Sequence, residues 1–230
     1  MKPIGLIGGL TYVSTIEYYR YLNELANARL GDAEAAVIIM YSVNFGAIKV
    51  LTEAEDWDKI AVMMCDVAKK IEKAGAACLL LGANTMHKVA DDVQAAIKIP
   101  IIHIAEAVAK DIKRHGSGKV GLLGTRFTMQ ENFYRDHLIN YGIETIIPDQ
   151  DDVEFINFTI YNEFSKNIFS AKTKAAYLGI ISKLKKKGVE GIIMGCTEIP
   201  SLINQSDCDL PLFDTVKIHS AAGVDFVLSH

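Results

Sequence analysis

The sequence lacks the long apolar runs that cross membranes. Its longest ones, such as AACLLLGA and GIIMG, are far shorter than the roughly 20 residues that a membrane-spanning helix needs. The opening stretch, MKPIGLIGGL, has a short apolar part that glycine interrupts, and it has no small-residue cleavage pattern, so it does not resemble a signal peptide. These absences predict a cytoplasmic protein without a membrane partner.

The sequence also lacks a basic stripe. Its 24 Lys and Arg and its 28 Asp and Glu are interspersed and give a formal net charge of -4 at pH 7. A surface of this kind does not follow a phosphate backbone, so nucleic acid is not an expected partner and a small molecule is. With 230 residues, 50% of them hydrophobic, the chain can bury a substantial core in one domain or two small ones.

Cysteine is scarce and irregularly spaced. No C-x-x-C pair and no histidines at ligand spacing accompany the four cysteines, which argues against a metal site and against a disulfide framework. Cys65 falls in an apolar helical pattern, Cys78 at the start of a buried strand and Cys208 in a polar loop. Cys196 alone ends an apolar strand before a polar turn, where backbone N–H groups would favour its thiolate. Cys196 is therefore the candidate base, with a buried structural role as the alternative.

A pyrophosphate-binding turn is absent too. Gly5, Gly8 and Gly9 form the pattern G-x-x-G-G instead of G-x-G-x-x-G. The second predicted strand ends in Ser42 and Asn44, where a dinucleotide fold would have an acidic residue for the ribose. The amides of this turn suit a substrate carboxylate better, so no nucleotide cofactor is expected.

What the sequence does contain is an internal repeat. Short apolar runs alternate with amphipathic helical patterns, which predicts parallel strands joined by right-handed helical crossovers. KAGAACLLLGANT (Lys73–Thr85) is echoed by KKGVEGIIMGCTE (Lys186–Glu198), so that Ala83 aligns with Cys196. The repeat predicts an α/β fold of two similar lobes.

Each lobe is expected to be a parallel four-stranded sheet flanked by helices, with a pseudo-twofold axis relating the two. The first lobe would take residues 1–98 plus 215–230, and the second residues 99–214. The fourth strands are expected at Ile99–Ile104 and Leu210–Thr215. Because ligands bind at the carboxyl ends of parallel strands, positions 83 and 196 are expected to flank one cleft.

Small hydroxyl residues follow the predicted strands. They are Ser14, Thr15, Thr85, Thr125, Thr128 and Thr197. Any one of them is typical of a helix N-cap, but as a set around one cleft they favour contact with an α-carboxylate. His87 could be a proton donor or a structural residue on a helix face, and the structural role is favoured.

The motifs GLIGGLTYVST, GANTMHKVAD, LLGTRFTMQENFYRDHL and GCTEI occur in this order. Through them the chain resembles the aspartate/glutamate racemase superfamily over nearly its whole length. It looks closest to a bacterial branch described as L-aspartate/glutamate-specific or broad-specificity amino-acid racemases. The resemblance implies an isomerase that acts on an amino acid and uses neither pyridoxal phosphate nor another cofactor. It does not decide whether the protein is a homodimer.

The resemblance also implies two proton-handling residues, one on each lobe. Both are cysteines in the family's common pattern, whereas this chain has Cys196 at the second position and Ala83 at the first. A methyl group can neither donate nor accept a proton. Cys196 is thus implied to remove the Cα proton of the L-enantiomer, and proton return on the other face would need water, Thr85 or His87.

Substrate-binding positions carry over by the same resemblance. The residues matching those that hold the amino-acid carboxylate and ammonium are Asn84, Thr85, Thr125, Thr128 and Thr197. Leu10, after the Gly-Gly turn, and Thr52, expected on a loop after the second strand, are implied to contribute to side-chain specificity.

A dicarboxylate preference does not follow from the resemblance. The arginine and lysine that hold the side-chain carboxylate in aspartate-specific enzymes align with Ile48 and Ser165, and Lys49 and Lys166 are each one residue away.

Two other functions stay open at this point. A decarboxylase of the same superfamily would need one second-lobe cysteine and a hydroxyl-rich pocket. A catalytically silent amino-acid-binding protein would keep the carboxylate contacts without the chemistry. Measuring binding and turnover on one amino-acid panel separates the enzymes from the binding protein.

Overall fold

The computed structural model describes residues 1–229. The chain divides into two compact units, one made of Met1–Ile104 with the C-terminal segment from His219, and the other of Ala105–Ile218. No helix within residues 1–229 is long and apolar enough to cross a membrane.

The first unit contains a parallel sheet in the order β2-β1-β3. Its strands are β1 (Ile4–Gly8), β2 (Ile38–Ser42) and β3 (Cys78–Leu81). Its helices are α1 (Tyr12–Leu30), α2 (Phe45–Glu53), α3 (Trp57–Lys73) and α4 (Ala90–Ala96), with a 3-10 helix at Thr85–Val89. Strands β1 and β3 are buried along their whole length, as expected of parallel strands covered on both faces.

The predicted fourth strand of this unit is wrong. Within Ile99–Ile104 only Ile101 makes an isolated parallel bridge, to Leu79. Pro100 has no N–H to donate, and the amide of Ile101 donates to the Gln94 side chain at 2.8 Å instead of extending a ladder. The sheet therefore has three strands.

The second unit contains a four-stranded parallel sheet in the order β5-β4-β6-β7. Its strands are β4 (Lys119–Gly124), β5 (Glu144–Ile146), β6 (Ile192–Gly195) and β7 (Leu212–Asp214). The helices from Ile104 onward are α5 (Ile104–Arg114), α6 (Arg126–Gln130), α7 (Asn132–Asn140), α8 (Gln150–Asn162), α9 (Ala171–Lys186), α10 (Ile199–Leu202) and α11 (Thr215–Ser229). The predicted α/β class, two parallel sheets flanked by helices, is confirmed.

Helix α3 shows how the sequence builds the first unit. Asp56 caps its first turn by accepting a hydrogen bond from the Lys59 amide at 3.2 Å, which satisfies an otherwise unpaired donor. Ile60, Met64 and Ile71 lie on one buried face and pack in the same apolar core as the strands. The helical period of the sequence thus determines which face of α3 is buried.

Gly82 and Gly195 align in the repeat, and the same close approach of a neighbouring strand requires a glycine at each position. A Cβ on Gly82 would lie 2.6 Å from the Ile7 carbonyl oxygen, and one on Gly195 would lie 2.8 Å from the Leu123 carbonyl oxygen. Only glycine lets the neighbouring strand come this close, so each glycine marks the point where a strand ends beside its partner. Ala83 and Cys196 follow directly.

His219 is a buried neutral histidine of the first unit. Its Nδ1 lies 2.8 Å from the Tyr18 hydroxyl, and its Nε2 lies 2.5 Å from the Ile102 carbonyl oxygen. Nε2 therefore carries the proton and donates to the carbonyl, while Nδ1 accepts from the tyrosine. Burial lowers the pKa of His219 to about 3.

We expect acid to destabilise the protein through His219. The unfolded histidine binds a proton near pH 6.5, but the folded one does so only near pH 3. Between these values the unfolded chain binds more protons, so the free energy of unfolding falls as the pH falls, by a total on the order of 5 kcal/mol from this residue.

Urea denaturation at several pH values between 4 and 7 measures this effect. His219→Gln keeps a polar side chain and removes the titration, so its unfolding free energy should depend less on pH than that of the wild type. Parallel pH dependences for the two proteins would contradict the assignment.

Candidate active site

The second unit holds the candidate base. Cys196 follows β6 directly and is 6% exposed. Its Sγ donates to Glu198 Oε2 at 3.0 Å, and the Thr197 hydroxyl donates to the same oxygen at 2.7 Å. Glu198 is itself buried, at 3% exposure, in the turn that leads into α10.

The resting state of Cys196 is a thiol. Burial raises its pKa well above the ordinary cysteine value, and the charge of Glu198 and the hydrogen bond to it act in the same direction. The amides of Glu198 and Ile199 lower the pKa, as the sequence predicted, but burial outweighs them. The amides thus act in the expected direction, but burial has the larger effect on the pKa of the resting thiol.

Two of the predicted hydroxyl residues lie at the same sheet edge. Gly124 pairs with Gly195 in the β4–β6 register, so Thr125 and Cys196 follow neighbouring strand ends. Thr125 caps α6 by accepting from the Thr128 amide at 3.3 Å, and the two hydroxyl oxygens are 3.1 Å apart. Thr125 is thus an N-cap, and the structure brings both threonines near the cysteine's strand end.

Sequence reasoning missed three residues near this edge. Tyr177 on α9 is buried, which raises its pKa, and the charges of Glu163 and Glu198 raise it further. Its hydroxyl lies 2.9 Å from that of Thr159 on α8. Tyr177 looks like one more apolar-face residue of a helix, and Glu198 looks like an exposed turn residue. Only the spacing of two residues after Cys196 could have drawn attention to Glu198.

The first unit holds the other predicted positions. Ala83 is half-buried, and Asn84 and Thr85 are buried at the start of the 3-10 helix. Ser14 donates to the Gly82 carbonyl oxygen at 3.2 Å, and Thr15 accepts from the Gly9 amide at 2.7 Å. The hydroxyls of Ser14 and Thr15 therefore have partners within the fold.

The two predicted specificity residues are buried. Leu10 belongs to the buried core of the first unit. Thr52 lies in α2 and not on a loop as predicted, and its hydroxyl donates to the Ile48 carbonyl oxygen at 2.9 Å. Such a bond within one helical turn is how threonine satisfies its hydroxyl inside a helix.

Both ring nitrogens of His87 are occupied. The Ile104 amide donates to Nε2 at 3.2 Å, so the proton is on Nδ1, which lies 3.0 Å from the Ala83 carbonyl oxygen. This supports the structural role, in which His87 holds the chain at the end of β3.

The positions expected to hold a side-chain carboxylate have no cationic residue. Ile48 is buried, and Ser165 donates to the Tyr161 carbonyl oxygen at 2.8 Å. Lys49 pairs with Glu53 at 2.8 Å, and Lys166 is exposed. Among residues 1–229 no group of three or more His, Cys, Asp or Glu could hold a metal ion.

Comparison with known proteins decides the family. A family model described as Asp/Glu/Hydantoin racemase matches residues 7–223. The chain belongs to this racemase family. The resemblance predicted from the motifs is thereby confirmed.

Relatives of this racemase-family chain agree with the assignment. The broad specificity amino-acid racemase RacX of Bacillus subtilis is 28% identical over 175 residues, which span 76% of this chain and 75% of that protein. A Yersinia pestis crystal structure with a provisional Asp/Glu racemase assignment is 47% identical with a TM-score of 0.92, covering 99% of this chain and 100% of that one. An aspartate racemase homologue from Pyrococcus horikoshii OT3 is 34% identical with a TM-score of 0.86, at 99% and 100% coverage.

Proposed function

We propose that this racemase-family protein is a cofactor-independent amino-acid racemase in which Cys196 removes the Cα proton of the L-enantiomer. The observation that carries the proposal is the buried thiol at the end of β6, hydrogen-bonded to a carboxylate 3.0 Å away. A cysteine in this arrangement can exchange a proton with its neighbour and with a substrate. The family and the RacX and aspartate racemase relatives give the reaction class its support.

The threonines at the strand ends of the second unit would hold the substrate. Thr125 and Thr128 lie after β4, and Thr197 follows the cysteine. Their hydroxyls and nearby amides can donate to the α-carboxylate, whose negative charge grows as the Cα–H bond breaks. We assign Asn84 and Thr85 the same task for the ammonium and carboxylate.

Because of Ala83, the proposed enzyme should handle the Cα proton of the two enantiomers at different rates. In the proposal it occupies the family's other proton-handling position, and its methyl group carries no transferable proton. Because both ring nitrogens of His87 have partners in the fold, we assign proton return on that face to water or Thr85. Inversion should then be slower than proton removal by Cys196.

The proposed substrates extend beyond dicarboxylic amino acids. A buried Ile48 and a hydrogen-bonded Ser165 stand where aspartate-specific relatives were expected to have cations. A panel of amino acids for testing should therefore include neutral side chains beside aspartate and glutamate.

We expect Cα-proton exchange to favour the L-enantiomer. In D2O the protein should exchange the Cα proton of its preferred L-amino acid with retained configuration faster than it inverts it, and the D-enantiomer should exchange slowly. The reason is that one thiol serves one face of the Cα atom. NMR measures the exchange, and chiral chromatography measures the inversion.

The same samples supply the control. Each enantiomer is incubated without protein to subtract solvent exchange, and its binding is measured by calorimetry. Equal exchange rates for the two bound enantiomers would contradict the single-thiol assignment. Binding of both without any exchange would leave an amino-acid-binding protein as the better description.

The protonated resting thiol favours a decarboxylase as the second candidate. The high pKa of Cys196 suits an acid that protonates Cα after carbon dioxide leaves an α-substituted malonate, with the bonding electrons remaining on Cα. Incubation with such malonates and NMR detection of the monoacid product tests this alternative directly.

A further inference from the structure

Glu198 is unusual among the acidic residues of the second unit because it is almost fully buried. It is 3% exposed, and its Oε2 accepts from both the Cys196 thiol at 3.0 Å and the Thr197 hydroxyl at 2.7 Å. Burying a carboxylate is costly unless hydrogen bonds compensate. Here part of that compensation is a hydrogen bond from the thiol that the proposed reaction needs.

Cys196 needs a nearby proton acceptor if it is to act as a base. A thiol buried beside a carboxylate does not ionise to solvent near neutral pH, because burial disfavours the added charge. A base that removes a Cα proton must nevertheless be a thiolate. Its own proton therefore needs an acceptor within hydrogen-bond distance, and Oε2 is at that distance.

We propose that Glu198 is a positioning residue that holds the Cys196 thiol and accepts its proton. The inference deepens the proposed function and rests on it for the catalytic step. The proton moves from Sγ to Oε2, so that the S–H bond breaks, its electron pair stays on sulfur and an O–H bond forms. The total charge of the pair does not change. The thiolate then takes the Cα proton, and the pair from the Cα–H bond remains on the substrate.

Other titratable groups near the pair do not replace Glu198. Tyr177 on α9 is buried and its pKa is raised by that burial, so it stays neutral over the working range. Glu163, at the end of α8, lies close enough to act on Tyr177, and it accepts from the Thr173 hydroxyl at 2.7 Å. Of the two carboxylates, Glu198 is the one that accepts from the thiol.

The proposal predicts a pH profile that a purely structural role would not change. Cys196 and Glu198 share one proton in this proposal. As long as the two side chains together keep that single proton, the fraction of Cys196 present as thiolate does not depend on pH. Glu198→Gln keeps the shape and the hydrogen-bond acceptor but cannot take the proton. Its Cys196 must then ionise to solvent, and the thiolate fraction rises about tenfold per pH unit below the thiol pKa.

Alkylation by iodoacetamide tests the pair without relying on turnover. Mass spectrometry measures modification of Cys196 between pH 6 and 8, with half-buried Cys208 in the same chain as the internal reference. We expect a pH-independent rate for Cys196 in the wild type and a rate rising about tenfold per pH unit in Glu198→Gln. Identical rising profiles in both proteins would overturn the inference.

Cα-proton exchange of the preferred L-amino acid in D2O supplies the second measurement. The exchange rate of Glu198→Gln should be about 10²–10⁴-fold below that of the wild type at pH 7, and it should recover as the pH rises. The exchange rate of Glu198→Asp should be lower than in the wild type but still independent of pH. Unchanged binding and unfolding midpoints show that both variants are folded.

The two measurements separate the inference from the proposed function. A pH-independent Cys196 profile that requires Glu198, in a protein that exchanges no amino acid, supports the pair and refutes the racemase. Exchange that is equally fast and equally independent of pH in Glu198→Gln refutes the pair and supports the racemase.

Discussion

Replacement of Cys196 by serine is expected to lower Cα-proton exchange of the preferred L-amino acid by about 10²–10⁴-fold. Serine has nearly the same shape and can still donate to Glu198 Oε2, so the buried turn should persist. Its hydroxyl gives up a proton far less readily than a thiol, and the proposed base is thereby lost. Exchange in D2O is measured by NMR.

Binding separates loss of chemistry from loss of the site. The dissociation constant should change little in Cys196→Ser, because the proposed substrate contacts come from other residues. Cys208→Ser makes the same chemical change at a half-buried cysteine after the short 3-10 helix at Gln205–Asp207 and should leave exchange unchanged. Undiminished exchange in Cys196→Ser would remove Cys196 as the base.

Ala83→Cys is expected to increase racemisation by about 10²-fold or more on at least one amino acid. The new thiol would supply the second proton-handling group that the family's common pattern has at this position, and one such group commonly contributes about 10²–10⁴-fold. Ala83 is half-buried, so one added sulfur atom should cost little stability. Chiral chromatography of an L- and D-amino-acid panel measures the gain.

Ala83→Val is the matched control, because it adds volume without a transferable proton. It should bind the same amino acids and show no gain. If Ala83→Cys folds, binds substrate and racemises no faster than the wild type on the whole panel, the two-residue mechanism is wrong for this protein.

The parts of the fold that local pattern determines could be predicted from the sequence. The repeat around Gly82 and Gly195 located two strand ends correctly, because each glycine is required by the backbone of the neighbouring strand. Cys196 was likewise expected to follow a strand. These features depend on a few consecutive residues and on the alternation of strands and helices.

Features that depend on distant or side-chain contacts could not be predicted in this way. The segment after Pro100 looks like a strand, yet the Gln94 side chain binds the Ile101 amide and only a bridge forms. The hydrogen bond between Glu198 and the Cys196 thiol joins two side chains and leaves no periodic pattern in the sequence. The low pKa of His219 arises from burial, beside the hydroxyl of Tyr18, which is 201 positions away in the chain.

The division of the chain has a consequence for the order of folding during synthesis. The unit that contains β1 also needs the segment from His219, since Leu80 on β3 lies against Gly223, and Val224 and Val227 are buried. Residues 105–218 are complete before that segment has been made. Although domains usually fold from the N-terminus onward as the ribosome adds residues, we expect the N-terminal part of this protein to complete its core only after the last helix has been made.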